Sequence, residues 1–150
     1  FYSALTGELE FFGVDQRHES DIEGLGRIPA EQQMKSTKVP SFNVIGNSPL
    51  VLRESLLDEV YTMGENFVEA AKRVVSPGMN GPFCIEGVYD ENAKFTSFEF
   101  SARIVAGSNI YMDGSPYYSL LFNENMSMGK RIAREIKIAI EKNQLDKITT

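Results

Sequence analysis

The sequence has one cysteine, Cys84, in 150 residues. An internal disulfide is therefore impossible, and a reducing, cytoplasmic setting is the simple expectation. His18 is the only histidine. A lone histidine is more often a structural or surface group than a base, and it is assigned no role. No window approaches 18 unbroken apolar residues, so no membrane-spanning helix is expected. A basic stripe is missing too. The net charge is −6 and the basic residues are dispersed until Lys130, which argues against a nucleic-acid surface. A nucleotide ligand stays open, because a metal ion can offset phosphate charge locally. No initiator Met precedes Phe1, and no basic stretch leads into an apolar run with a small-residue cleavage site. The chain thus reads as processed or as part of something longer, without a leader. It shows no internal repeat or low-complexity segment.

What is present is ordinary for one globular domain: 42% hydrophobic and 24% charged residues suffice for a core. "GELEFFGV", Gly7 to Val14, has strand character, and "DQRHESD" is expected to break it. Residues 23–40 read as loop with one short helix at Ala30–Lys35. "SFNVIG" reads as a strand and "GNSP" as a turn. Ser48 suits an N-cap and Pro49 the first helical position. From there Leu52, Leu56, Val60, Met63, Phe67, Ala71 and Val74 recur at helical spacing, and Ser76-Pro77-Gly78 ends the run. Gly64 inside it costs about 1 kcal/mol relative to Ala, which suggests a close packing contact. The segment "IVAGSNIYMDGSPYYSLLF" is too irregular for one element, and its Gly and Tyr residues suit a segment that shapes or covers a pocket. A last helix runs from Ser127 to Lys142, with Met128, Ile132, Ile136 and Ala139 or Ile140 as its buried stripe. Lys130, Arg131, Arg134 and Lys137 form its wet face. The last eight residues are expected to fray. Strand, strand, helix, hairpin, helix is an α+β order.

The stretch "FCIEGVYDENAKFTSFEFSAR", Phe83 to Arg103, reads as that hairpin. Side chains alternate across a strand, so Glu99, Ser101 and Arg103 share one face, while Phe98, Phe100 and Ala102 share the core face. A turn centred on Asn92-Ala93 pairs Asp90 with Phe95 and sets Glu86 opposite Glu99. A one-residue slip would turn Glu99 to the core. Like charges directly across a strand pair are unfavourable, so something must hold them. Two facing carboxylates beside a hydroxyl suit Mg²⁺, which leaves its other positions to phosphate oxygens and water. Arg103 is then placed for a bidentate phosphate contact. On pattern alone a solvated strand face is the favoured reading of Glu, Ser and Arg, and a raised pKa shared by the two carboxylates is a third reading. Cys84, on the Glu86 face, reads as packing.

The spacing Glu-x-Ser-x-Arg, one hairpin turn after another Glu, resembles the metal-binding hairpin of the ATP-grasp ligases, whose usual form is Glu-x-Asn-x-Arg. "RHESDIEGLGRIPA", "RESLL", "GPFCIEG", "FEFSARIVAGSNIYMDGSPY" and "MSMGKRIAREIKIAIE" together resemble the carboxy-terminal part of the archaeal formate-dependent ligases of purine (IMP) biosynthesis. The resemblance implies that residues 1–150 are the carboxy-terminal ATP-grasp portion of a longer ligase: an antiparallel sheet with a metal-binding hairpin packed against two long helices. The amino-terminal domain and adenine-clasping part would lie upstream. It implies Glu86 and Glu99 as ligands of Mg²⁺ or Mn²⁺, Glu19 as an ATP contact and Asn47 as a contact of the nucleotide substrate. Arg103 would stabilise the moving phosphoryl group. The partners implied are ATP, formate and 5-aminoimidazole-4-carboxamide ribonucleotide, in a homo-oligomer, with no nucleic acid and no membrane. Two other functions stand beside this one: a related ATP-grasp carboxylate–amine ligase with another substrate, and a non-catalytic, metal-stabilised assembly module.

Overall fold

Phe1 and Tyr2, adjacent in sequence, enter different cores. In the computed structural model, which describes residues 1–149 apart from the side chains of residues 22 and 23, Phe1 packs with Tyr118, Met126 and Met128. Tyr2 packs with Val68 and Met79. The extended amino-terminal segment separates these clusters and is tied down by bridges from Tyr2 to Leu9 and Gly81. The expected strand at Gly7–Val14 is thus only a bridge at Leu9; regular pairing begins where that reading ended.

Strand β1 is Val14–Glu19 and pairs antiparallel with β2, Val44–Leu50. β1 replaces an expected break, whereas β2 keeps the end of the strand expected at Ser41–Gly46 and runs on through the expected turn. "DQRHE" lies in β1, and "GNSP" lies in β2 rather than forming a turn. Polar residues on both faces hid β1 from a hydrophobicity pattern. Pro49 is tolerated because a two-stranded sheet leaves each strand an open edge that needs no N–H donor. Between the strands lie two short helices, α1 at Ile22–Gly26 and α2 at Ala30–Gln33, the second where it was expected.

The long helix starts later than its Ser-Pro signal suggested. Residues 51–53 are not helical; a 3₁₀ turn spans Glu54–Leu56, and α3 runs Leu57–Val74. The backbone N–H of Leu52 donates to the Tyr117 hydroxyl at 2.9 Å, a tertiary bond that keeps the chain out of the helix there. Gly64 is buried in α3, and a Cβ on it would meet Leu9 Cδ2 at 2.7 Å. The expected close contact is therefore present.

The hairpin joins β3, Cys84–Tyr89, to β4, Phe95–Ser101. Phe67 of α3 stacks on Phe83 at 4.8 Å and meets Phe100 at 5.0 Å, so α3 covers one face. The β3–β4 pair and the β1–β2 pair are separate two-stranded sheets, not one continuous sheet. Phe98 and Phe100, expected in the core, are 68% and 61% exposed: α3 reaches this side through Phe67 but leaves an open groove over it.

The irregular segment that follows forms a 3₁₀ stretch, Ala106–Tyr111, and helix α4, Pro116–Phe122. Ser115 caps α4 by accepting from Tyr118 N, with Pro116 in its first turn. Ser127 caps α5, Met128–Glu141, in the same way, close to the expected bounds. Its buried face differs from expectation. Met128 and Ala139 are buried, but so are Arg131 and Glu135, whereas Ile136 and Ile140 are 43% and 55% exposed. Arg131, read as wet, donates to Glu10 at 2.7 Å and to Glu135 at 2.8 Å. Glu10 also accepts from the Tyr118 hydroxyl and Glu135 from the Ser3 hydroxyl. Burial opposes the Arg131 charge, but the hydrogen bonds to Glu10 and Glu135 outweigh it and hold its pKa above the ordinary value. A charged partner from residue 10, distant in sequence, turned the helix face. Instead of fraying, residues 145–147 form a 3₁₀ turn, closed by Thr149 N–H to Leu145 O at 3.0 Å. Residue 150, in the segment expected to fray, lies outside the described residues.

Candidate functional site

Alternation along β1 places Asp15, Arg17 and Glu19 toward one side, and the ladder sets Asn47 directly across from Arg17. The Arg17 guanidinium donates to Glu19 at 2.7 Å and, across to the other sheet, to Glu86 at 2.5 Å. Those two hydrogen bonds, Glu19 first and then Glu86, raise the pKa of Arg17 above its ordinary value. One side chain therefore joins two separate sheets and brings together Glu19 and Glu86, expected respectively as nucleotide and metal contacts.

Glu86 is paired across the ladder with Glu99, as the sequence predicts, but by a different route. The turn is one residue longer than expected: Tyr89, not Asp90, pairs with Phe95, and Asp90 N–H bonds to Lys94 O. Left alone, that offset would put Glu86 opposite Phe98. A β-bulge between Glu86 and Gly87 inserts one residue of β4 and restores the register. The two residues stand opposite each other on the ladder because a slip and a bulge cancel. Glu99 also lines an open groove of about 600 Å³ between β4 and α3.

Cys84 reports on the charge gathered here. Burial pushes its thiol up to about 11, reinforced by Glu86, Asp15 and Glu99 and opposed by Arg17. The carboxylates of Glu86, Asp15 and Glu99 act on Cys84 together with the Arg17 cation, which itself pairs with Glu19 and Glu86. The neighbourhood carries an excess of negative charge that favours a further cation. Among the described residues no group of three or more His, Cys, Asp or Glu side chains is arranged to hold a metal by itself. Two facing carboxylates nevertheless fit Mg²⁺ or Mn²⁺, since Mg²⁺ is bound through one or two carboxylates with phosphate and water completing the shell.

Asn47 donates through Nδ2 to Asp15 at 2.5 Å. His18 lies beside Ser48, 2.8 Å from its hydroxyl. Arg103 lies outside this arrangement. β4 ends at Ser101, so strand alternation does not extend to it. Its guanidinium donates to the carbonyl of Ile104 at 2.8 Å and is exposed. Asp15 and Arg17 were not among the sequence candidates. Their signal was the spacing 15, 17, 19, an acid, a base and an acid on one strand face, hidden because the stretch reads as a break.

The fold and site define an α+β protein in which two antiparallel ribbons gather carboxylates around an arginine. The chain belongs to the family described as a domain of unknown function, DUF1297, whose model matches residues 1–150. It is similar to the 5-formaminoimidazole-4-carboxamide-1-(beta)-D-ribofuranosyl 5'-monophosphate synthetase of Nitrosopumilus maritimus, 89% identical over 150 residues, all of this chain and 44% of that protein. The synthetase of the same name from Pyrococcus horikoshii is 50% identical over all of this chain and 45% of its own length. Among solved structures, the IMP biosynthesis protein PurP from Thermococcus kodakaraensis matches all of this chain and 47% of its own, with a TM-score of 0.77 and 34% identity. These matches bear out the resemblance carried by the sequence motifs. The chain spans less than half the length of these relatives.

Proposed function

We propose that this chain is the carboxy-terminal ATP-grasp part of a cytoplasmic ligase that uses ATP to join formate to the amine of 5-aminoimidazole-4-carboxamide ribonucleotide. The observation that carries this reading is the pairing of Glu86 with Glu99 across one ladder, with Glu19 tied to Glu86 through Arg17. The names of the relatives supply the substrate class.

Formate is a poor electrophile. An oxygen of formate attacks the γ-phosphorus of ATP and ADP leaves, giving formyl phosphate. The amine then attacks the formyl carbon, phosphate departs, and the nitrogen gives up a proton. Glu86 and Glu99 would hold Mg²⁺ or Mn²⁺, which when bound neutralises charge on the phosphate oxygens. Glu19 would meet ATP, and Arg17 holds Glu19 and Glu86 at a fixed separation before ligands arrive. Arg103, exposed and bonded among the described residues to a neighbouring carbonyl, can turn toward the phosphoryl group. Asn47 would orient the ribonucleotide, and geometry supplies much of the remaining rate.

The test is made in a full-length ligase carrying this chain. Glu86→Gln and Glu99→Gln should each lower turnover by about 100-fold or more, the scale for lost charge stabilisation at a transferring phosphoryl group, with the melting temperature nearly unchanged. A non-catalytic, metal-stabilised module would instead lose melting temperature in Mg²⁺ and show no turnover in either form. Labelled formate that fails to enter product, while another carboxylic acid does, would replace formate with that acid.

A further inference from the structure

An asparagine amide can present either its oxygen or its nitrogen to a ligand. An ionised carboxylate beside it removes that choice, because the carboxylate only accepts. Asp15 Oδ2 lies 2.5 Å from Asn47 Nδ2, so one of the two Nδ2 hydrogens is held by Asp15 and the nitrogen end of the amide is turned toward it. Its Oδ1 accepts no hydrogen bond among the described residues. Asp15 is in turn confined. Gly107 is buried against it, and a Cβ there would fall 2.1 Å from Asp15 Oδ1. The stretch bearing Gly107 is stapled to β1: the Tyr111 hydroxyl donates to Val14 O at 2.8 Å, and Phe12 meets the Tyr111 ring edge-on at 5.6 Å. The Gly- and Tyr-rich segment thus backs the Asp15–Asn47 pair from behind, and Asn47 stands across the ladder from Arg17, which reaches Glu19 and Glu86.

We propose that Asp15 is a positioning residue that holds Asn47 with its carbonyl oxygen free, so that the site selects a nucleotide presenting an N–H donor at that point and rejects one presenting only an acceptor. The inference rests on the reading of Asn47 as a nucleotide contact. Its chemistry is that of a site whose polar group is left unpaired by the wrong ligand, which discriminates far better than lost apolar contact. The donor on a 5-aminoimidazole-4-carboxamide nucleotide is the ring amine or the carboxamide nitrogen.

The experiment uses the full-length ligase and calorimetric binding of three ribonucleotides: the parent, an analogue lacking the amine donor, and an analogue with carboxylate in place of carboxamide. The wild type should bind one analogue about 30-fold or more weakly than the parent, the scale for one polar group left unpaired. Asp15→Asn, isosteric and able to pair with either end of the Asn47 amide, should shrink that same ratio to about threefold. The Michaelis constant for the nucleotide should rise, with that for ATP and kcat within about twofold of wild type, a split that general loosening of the fold would not produce. Gly107→Ala, which pushes Asp15 aside without removing its charge, should give the same pattern. If Asn47→Ala leaves nucleotide affinity unchanged, the underlying reading of Asn47 fails. If Asn47→Ala weakens the nucleotide but Asp15→Asn keeps the wild-type discrimination, the positioning role of Asp15 is overturned. Equal binding of all three nucleotides by the wild type overturns it without any variant.

Discussion

Single residues in this chain take their chemistry from neighbours that sequence distance conceals. Cys84 shows it most directly. Nothing adjacent in sequence marks it, yet burial and three carboxylates from two sheets push its thiol up to about 11, from an ordinary value near 9.0. The folded state therefore favours the neutral thiol. That preference contributes stability in full below pH 9.0 and loses it as pH rises through about 11. Alkylation should follow the same profile. At pH 8 the thiol should react about 100-fold more slowly than an unperturbed cysteine, from two pKa units of lost thiolate. The rate should inflect near 11. An inflection at the ordinary value would mean that Cys84 is not buried beside these carboxylates. Arg17 makes the same point for the site: the strand it occupies has no hydrophobic alternation, and its partners Glu19 and Glu86 are 2 and 69 residues away.

At the scale of elements, one local signal has different outcomes in different surroundings. Two of the three Ser-Pro pairs, Ser48-Pro49 and Ser115-Pro116, show it. The second starts α4, with the Ser115 hydroxyl accepting from Tyr118 N. The first lies inside β2, because β1 offers a ladder partner there and Tyr117 engages Leu52 beyond it. Helix α5 carries the complementary lesson. Its caps and length follow from local residues, but its face is set by Arg131, held between Glu10 and Glu135 with Tyr118 and Ser3 completing the network. Removing the cation would strand two buried carboxylates. Arg131→Met should destabilise the fold by about 3–5 kcal/mol, the cost of breaking a buried pair from one side. Chemical denaturation should read this as a lower midpoint with an unchanged slope. A loss under about 1 kcal/mol would mean that water or a rearranged side chain compensates the acids.

For the whole molecule, the governing fact is that 150 residues correspond to less than half of each similar synthetase. The site described here supplies carboxylates, an arginine and an asparagine, and the groove of about 600 Å³ next to Glu99 is open rather than enclosed. These residues by themselves should therefore bind ATP only weakly. Titration calorimetry with Mg²⁺ should show no dissociation constant below about 100 μM, against an affinity scale in which 1 μM requires about 8.2 kcal/mol. Micromolar binding by residues 1–150 alone would show that the clasp is already complete. The amino-acid pattern by itself determined the α+β character and the caps and span of α5. Each depends on contacts within one element or across one short turn, where spacing translates directly into geometry. Only the tertiary structure decided that β1 is a strand, that Arg17 joins two sheets, that Asp15 holds Asn47, and that Arg131 is buried. Those outcomes depend on partners tens of residues apart, whose electrostatic and hydrogen-bond energies exceed local propensity but leave no periodic trace in the chain.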